Sequence, residues 1–152
     1  MEKLVRTGAT DPDSIARMCN AQGVETINLD LPGTLAPSVI SANRYGAKTL
    51  TDAILERLKA RGTPNDPIIF AGGRIEDHNT RERIAGFSEA LAAHGLPSPN
   101  ENIMPCGYSG LHAAPVLDAY LLKHGTLPSA IFVNSTITLE GIAAGSTSRA
   151  TT

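Results

Sequence analysis

The 152-residue sequence contains no run of basic side chains, and its formal net charge is −2, so direct DNA binding by this segment is not expected. It has no apolar stretch approaching the length of a membrane span, which argues against membrane insertion. Met1-Glu2-Lys3 opens onto a mixed polar run and not onto the apolar core of a secretory leader. The two cysteines, Cys19 and Cys106, form neither a CxxC pair nor part of a metal pattern, so a reducing cytoplasm is the expected compartment and a disulfide is not expected. His78, His94, His112 and His124 include no i, i+4 pair and no HExxH, so no metal site is expected. GxGxxG and GxxxxGK[ST] are absent, and with them the usual phosphate-binding signatures. No internal repeat of fixed period is visible. With no catalytic constellation and no cofactor motif, the chain is not expected to be an enzyme or to carry a cofactor.

What is present is a chain of 41% hydrophobic residues, long enough for a real core. The stretch from Asp66 to Gly95 organises it. Pro67 to Gly73, PIIFAGG, reads as a strand buried on both faces. After the loop RIEDH comes a helix, with Asn79 and Glu82 spaced as a capping box and Ile84, Phe87, Ser88 and Leu91 on one stripe. Gly95 and Pro97 stop it. Upstream, Lys3–Arg6 is a short possible strand. Asp11 caps a helix with Pro12 at its first position and Ile15, Met18 and Cys19 on its apolar face. Val24–Leu29 and Pro37–Ala42 read as strands. Gly46–Arg61 reads as a helix with Ala47, Leu50, Ile54, Leu55 and Leu58 inward. Downstream, Asn102–Cys106 and Ser129–Asn134 read as strands. Leu111–His124 is helical in pattern but interrupted by Pro115, so its helix either starts near Ala114 or is kinked. Ser135 or Thr136 caps a short helix reaching Gly141. Residues 143–152, AAGSTSRATT, read as linker or disorder. The alternation of strands and helices predicts an α/β fold with a doubly wound parallel sheet.

Three motifs invite chemistry. Gly72-Gly73 suits a phosphate cradle or, more simply, a tight turn. Cys106-Gly107-Tyr108-Ser109-Gly110 resembles a nucleophile elbow, but Leu111 stands where the second glycine belongs. The third is a constellation. Asp30, Tyr108 and Ser135 follow strands, and Arg83 begins a helix on the same edge. Together they supply an acceptor, a fork of donors, an aromatic face and a hydroxyl, the means by which a protein binds a polyhydroxylated ligand without reacting with it. Open α/β sheets bind ligands at the carboxyl ends of their strands. Arg81 is the alternative to Arg83. The fork of Arg83 suits a phosphate or carboxylate by bidentate geometry, and neutral sugars are also held by arginine.

The segments PSVISANRYGAKTLTDAI, PIIFAGG, NTRERIAGFSEALAAHGL and SAIFVNSTITLEGI, in that order, resemble the sugar-sensing domain of the LacI/GalR family of transcriptional regulators. The resemblance covers about residues 1–142, and RERIAGF after a strand ending in AGG is its most specific piece. It implies a type I periplasmic-binding-protein-like fold, incomplete here: residues 1–37 as the end of the N-terminal lobe, 38–142 as the C-terminal lobe and 143–152 as a linker-like tail. It carries ligand-binding roles to Asp30, Arg83, Tyr108 and Ser135. Ser135-Thr136 departs from the usual Asn-Asp and resembles the fructose-repressor branch, leaving sugar and sugar phosphate both open as effectors. The resemblance further implies a cytoplasmic homodimer that reaches DNA only through an N-terminal helix-turn-helix missing from this segment. A periplasmic sugar-binding component of a transporter shares the fold and is the alternative. A piece of lobe one would leave strand edges and apolar faces uncovered, so the chain alone is expected to be marginally stable or to associate.

Overall fold

A computed structural model of the chain describes residues 11–98 and 100–147. The possible strand at Lys3–Arg6 lies outside them. The chain divides into two compact units between Ala42 and Asn43, five residues beyond the boundary expected from the resemblance.

The first unit begins with helix α1, Pro12–Asn20, capped by Asp11, whose carboxylate accepts from the Asp13 N–H at 3.1 Å. Asp13 then ties the helix to a distant loop. Its carboxylate accepts from Thr34 N at 2.7 Å, Thr34 Oγ1 at 2.6 Å and Leu35 N at 3.0 Å. The Thr34 hydroxyl first, and then those backbone N–H groups, hold the Asp13 carboxyl below the usual aspartate range. Ala16 is the buried position of α1, whereas Ile15 and Met18 of the expected apolar face are exposed. The strands here are shorter than expected. β1 is Asn28–Leu29 and β2 is Ser38–Val39, paired in parallel. A two-stranded ladder has little to bury its side chains against, and Val24, Ile27, Leu29 and Val39 are all exposed.

The second unit is a three-stranded, wholly parallel sheet in the order β4-β3-β5, with β3 Ile68–Ala71, β4 Ile103–Met104 and β5 Ala130–Val133. β3 is central and every residue in it is buried, which is why its sequence is apolar without alternation. Ile68 and Phe70 face a core built with Leu55, Leu58, Phe87, Leu91 and Phe132. Those partners come from α2 (Asn43–Ala60), α3 (His78–Ala93) and β5. Ile69 and Ala71 face the opposite core, with Ala113, Val116, Tyr120 and Ile142 from α4 (Gly110–Ala113), α5 (Val116–His124) and α6 (Thr136–Thr147). Helices cover both faces, so the sheet is doubly wound as expected. The chain's three phenylalanines form one cluster: Phe70 stacks on Phe132 at 4.9 Å, and Phe87 meets both edge-on at 5.8 and 6.0 Å.

Three local expectations are corrected, and one left open is resolved. Helix α3 begins at His78 with Asp77 ahead of it, so Asn79 lies inside the first turn and is not a cap. Leu50 points outward and Thr51 inward, the Thr51 hydroxyl donating to Ala47 O at 2.8 Å. Pro115 separates α4 from α5, the interrupted form of that region. Helix α6 continues through 143–147, where a linker was expected, because Gly141 and Gly145 pack against backbone. A Cβ on Gly141 would strike Gly110 O, and one on Gly145 would lie 2.6 Å from Ala114 O. Gly86 in RERIAGF works the same way, lying against Arg44 O of α2, so α2 and α3 approach closely.

Candidate functional site

The carboxyl ends of β3 and β5 carry a polar cluster. β3 runs on into Gly72 (φ 103°) and Gly73 (φ 72°). Their N–H groups donate to Met104 O at 3.1 Å and Gly107 O at 3.0 Å, so neither is open to a phosphate, and the pair is a turn. Gly73 is needed twice over. Its φ lies in the left-handed region. A Cβ there would also strike Thr80 Oγ1 and lie 2.5 Å from Asn134 Nδ2.

Arg83 is the centre of the cluster. It sits in the second turn of α3, half-buried. Its Nε donates to Asn43 Oδ1 at 2.8 Å, and its Nη1 donates to Asn134 O at 2.8 Å and Asn134 Oδ1 at 3.2 Å. Asn43 in turn donates to Asn79 Oδ1 at 3.0 Å. The fork expected to grip a ligand is therefore spent largely on the protein. Nη2 remains, and among the described residues no carboxylate pairs with this cation. Arg81, the alternative, is exposed and donates to the Glu76 carbonyl.

Tyr108 follows β4. Its hydroxyl lies 3.1 Å from Thr80 Oγ1, and Thr80 is fully buried. Ser135 follows Asn134 directly. Its hydroxyl is 3.0 Å from Thr138 Oγ1 and accepts from Thr138 N at 3.3 Å, the work of a helix cap for α6. Arg83, Tyr108 and Ser135 thus gather around the ends of β3 and β5. Asp30 belongs to the other compact unit. There it ends β1 with φ 55°, and its carboxylate accepts from Ser41 N at 2.7 Å.

Sequence reasoning missed Asn43, Thr80 and Asn134. Asn134 carried a signal, its place at the end of a buried strand. It is 6% exposed, and its Nδ2 is buried without a hydrogen-bond partner. Such an orphan donor costs about 1–3 kcal/mol. Nothing resembles an activated nucleophile at CGYSG: burial pushes the Cys106 thiol up, away from the thiolate that attack requires. Among the described residues no group of His, Cys, Asp or Glu is arranged to hold a metal ion, and no helix is long and apolar enough to cross a membrane.

A parallel sheet covered by helices on both faces, with polar side chains at its strand ends, is the architecture of type I periplasmic-binding-protein-like domains. The Cra transcriptional dual regulator from Pseudomonas putida, in complex with fructose 1-phosphate, superposes with a TM-score of 0.73 at 22% identity over 91% of this chain and 49% of its own. An ABC transporter solute-binding protein from Burkholderia graminis, in complex with D-arabinose, gives 0.72 at 18% identity over 88% of this chain and 45% of its own. These likenesses define the fold. In sequence, the chain is 45% identical over 93 residues to the ribitol operon repressor of Klebsiella aerogenes, covering 61% of this chain and 34% of the repressor. In sequence and in fold the chain is thus similar to regulators of the LacI/GalR type. It spans about a third of the length of that curated relative. No protein-family model matches it.

Proposed function

We propose that the chain is part of the effector-sensing domain of a LacI/GalR-like transcriptional regulator, binding a sugar or sugar phosphate at the carboxyl ends of its strands. Effector binding shifts the arrangement of a cytoplasmic homodimer and so changes the hold of helix-turn-helix segments on DNA. The domain senses and does not catalyse. The observation that carries this reading is the state of Arg83, a half-buried cation fixed by neutral partners at the strand ends, with Nη2 unspent. Such a group is preorganised to donate to a ligand oxygen. Tyr108 adds an aromatic surface beside it. Ser135 is retained as a contact of this site through its second lone pair, and Asp30, in the first unit, as an acceptor for ligand.

Nuclear magnetic resonance titration of the chain with millimolar sugars and sugar phosphates tests the reading. Arg83→Ala should abolish ligand-induced shifts at Gly73 and Asn134, and Arg81→Ala should leave them unchanged. Equal effects of the two variants remove Arg83 from the site.

A transporter's periplasmic sugar-binding component is the second reading, favoured by the likeness to the Burkholderia protein. The coding sequence upstream separates the two. A helix-turn-helix supports the regulator, and an apolar leader with a small-residue cleavage site supports the transporter component.

A further inference from the structure

We propose that Thr80 is a positioning residue that makes Tyr108 a fixed apolar platform, and that this platform leads the site to select cyclic sugars over open-chain polyols. The inference rests on the sugar-binding reading of the site. Thr80 is fully buried, and its hydroxyl lies 3.1 Å from that of Tyr108. Tyr108 is nevertheless 40% exposed. Its hydroxyl is paired with buried Thr80, which leaves the ring to supply the apolar contact.

Thr80 is packed close against Gly73. The point where a Cβ on Gly73 would stand is 2.8 Å from Thr80 Cγ2 and even nearer its Oγ1, and Asn134 Nδ2 flanks that point on another side. The methyl and hydroxyl of Thr80 thus both lie against Gly73, where the absence of a Cβ leaves them room, and the hydroxyl pairs with the phenol.

A cyclic sugar offers a flat face of C–H groups that matches a ring by dispersion and by the negative potential of its π face. An open-chain polyol has no such face, and several of its rotors must be frozen on binding. The Tyr108 hydroxyl, already paired with Thr80, has only its remaining hydrogen-bonding capacity to offer the polyol.

The chain has three tyrosines, so 3-fluorotyrosine labelling gives a spectrum with a fluorine resonance for each of Tyr45, Tyr108 and Tyr120, and Tyr108→Phe assigns the middle one. Thr80→Val keeps the side-chain shape and removes the hydroxyl. It should move the Tyr108 resonance and increase its broadening by a soluble paramagnetic agent, with Tyr45 and Tyr120 unmoved as the control for folding. Thr80→Ser, which keeps the hydroxyl, should preserve the wild-type resonance. D-Ribose and ribitol share a carbon count and differ in ring closure. Thr80→Val should weaken ribose about fivefold, equivalent to about 1 kcal/mol for one hydrogen bond, and leave ribitol unchanged. In the Tyr108→Phe background it should change neither. An unmoved Tyr108 resonance in Thr80→Val, or a Thr80→Ser variant that behaves like Thr80→Val, overturns the positioning role. Equal weakening of both sugars overturns the selectivity. Failure of wild type to bind either sugar overturns the selectivity and the site reading together, and leaves the fluorine result to decide the positioning role.

Discussion

Replacing Gly73 by alanine separates two costs that the structure superimposes at one position. The first is conformational. A φ of 72° is unfavourable for any residue with a Cβ by roughly 1–2 kcal/mol, partly offset by the lower chain entropy of the unfolded alanine variant. The second is steric. The new methyl carbon would strike Thr80 Oγ1 and stand 2.5 Å from Asn134 Nδ2 and 2.8 Å from Thr80 Cγ2, and overpacking of this kind costs about 1–3 kcal/mol. Gly62 supplies the control. Its φ is 80°, and nothing lies within 4 Å of its added Cβ, so Gly62→Ala carries the first cost alone. We expect Gly73→Ala to destabilise by about 2–4 kcal/mol and Gly62→Ala by about 1 kcal/mol, read as shifts in urea midpoint at constant slope. Thr80→Ala in the Gly73→Ala background removes both Thr80 atoms from the collision, so the double variant should be more stable than the sum of the single ones by about 1 kcal/mol. Equal midpoint shifts for Gly73→Ala and Gly62→Ala, or strict additivity of the pair, would refute the close packing of Gly73, Thr80 and Asn134.

Three further outcomes follow from the fold. Phe87→Ala opens the aromatic cluster against Phe70 and Phe132 and should cost about 3–5 kcal/mol in urea unfolding, whereas Leu50→Ala, on the outer face of α2, should change stability by less than about 1 kcal/mol. The Asp13 carboxyl is depressed when folded, so its contribution is full above the unfolded value of 3.8 and is lost as pH falls through that value toward the folded one. Amide exchange at Thr34 and Leu35 should therefore be faster in Asp13→Asn than in wild type at neutral pH, with the gap closing as pH drops below 3.8. Leu111 and Leu122 are 86% and 90% exposed, and Ile27 and Leu29 are nearly as open, so light scattering should find the chain self-associating at micromolar concentration; a monodisperse monomer with one sharp unfolding transition would contradict this.

The parts of the fold legible in the sequence are those that local physics decides. Ile68–Ala71 had to be apolar throughout because both faces of a central strand are covered, Gly95 ends α3, and Pro115 breaks the helical pattern of 111–124. Partnerships made across the fold were not legible. Asn79 matched a capping box, but its carbonyl oxygen serves Asn43, 36 residues away. Leu50 matched an apolar stripe, yet the buried stripe of α2 is Ala47, Thr51, Leu55 and Leu58, where a threonine that satisfies its own hydroxyl counts as inward. The tail was read as a linker because glycine and serine lack an apolar period, whereas glycine at 141 and 145 is what lets α6 lie on α4. In the site, Arg83 could be found by its motif. Asn43, Thr80 and Asn134 could not, since a neutral polar residue has no signature until its partner is known.

Those missed partners change what the site can offer. Once Asn43 and Asn134 have taken Nε and Nη1, Arg83 cannot form a two-pronged grip on a phosphate or carboxylate without giving up a bond that holds it. The hydroxyl of Ser135 is engaged by Thr138, that of Tyr108 by Thr80, and the Gly72 and Gly73 amides by carbonyls. What the second unit presents to a ligand, beyond the spare lone pair of Ser135, is then chiefly one charged donor and one ring. A charge-assisted hydrogen bond contributes about 1.5–3 kcal/mol, and a ring contact on the order of 1 kcal/mol. Even before the cost of association is subtracted, such a pair amounts to about 4 kcal/mol at most, so the dissociation constant is millimolar or weaker. Binding by the second unit, residues 43–152, at micromolar sugar would mean that Arg83 exchanges a protein partner for the ligand. Nitrogen-15 spectra of the arginine side chains would then show the Nε resonance of Arg83 leaving its Asn43-bonded position as sugar is added. A stationary resonance at saturation would instead require that Nη2 alone provides the arginine's contact.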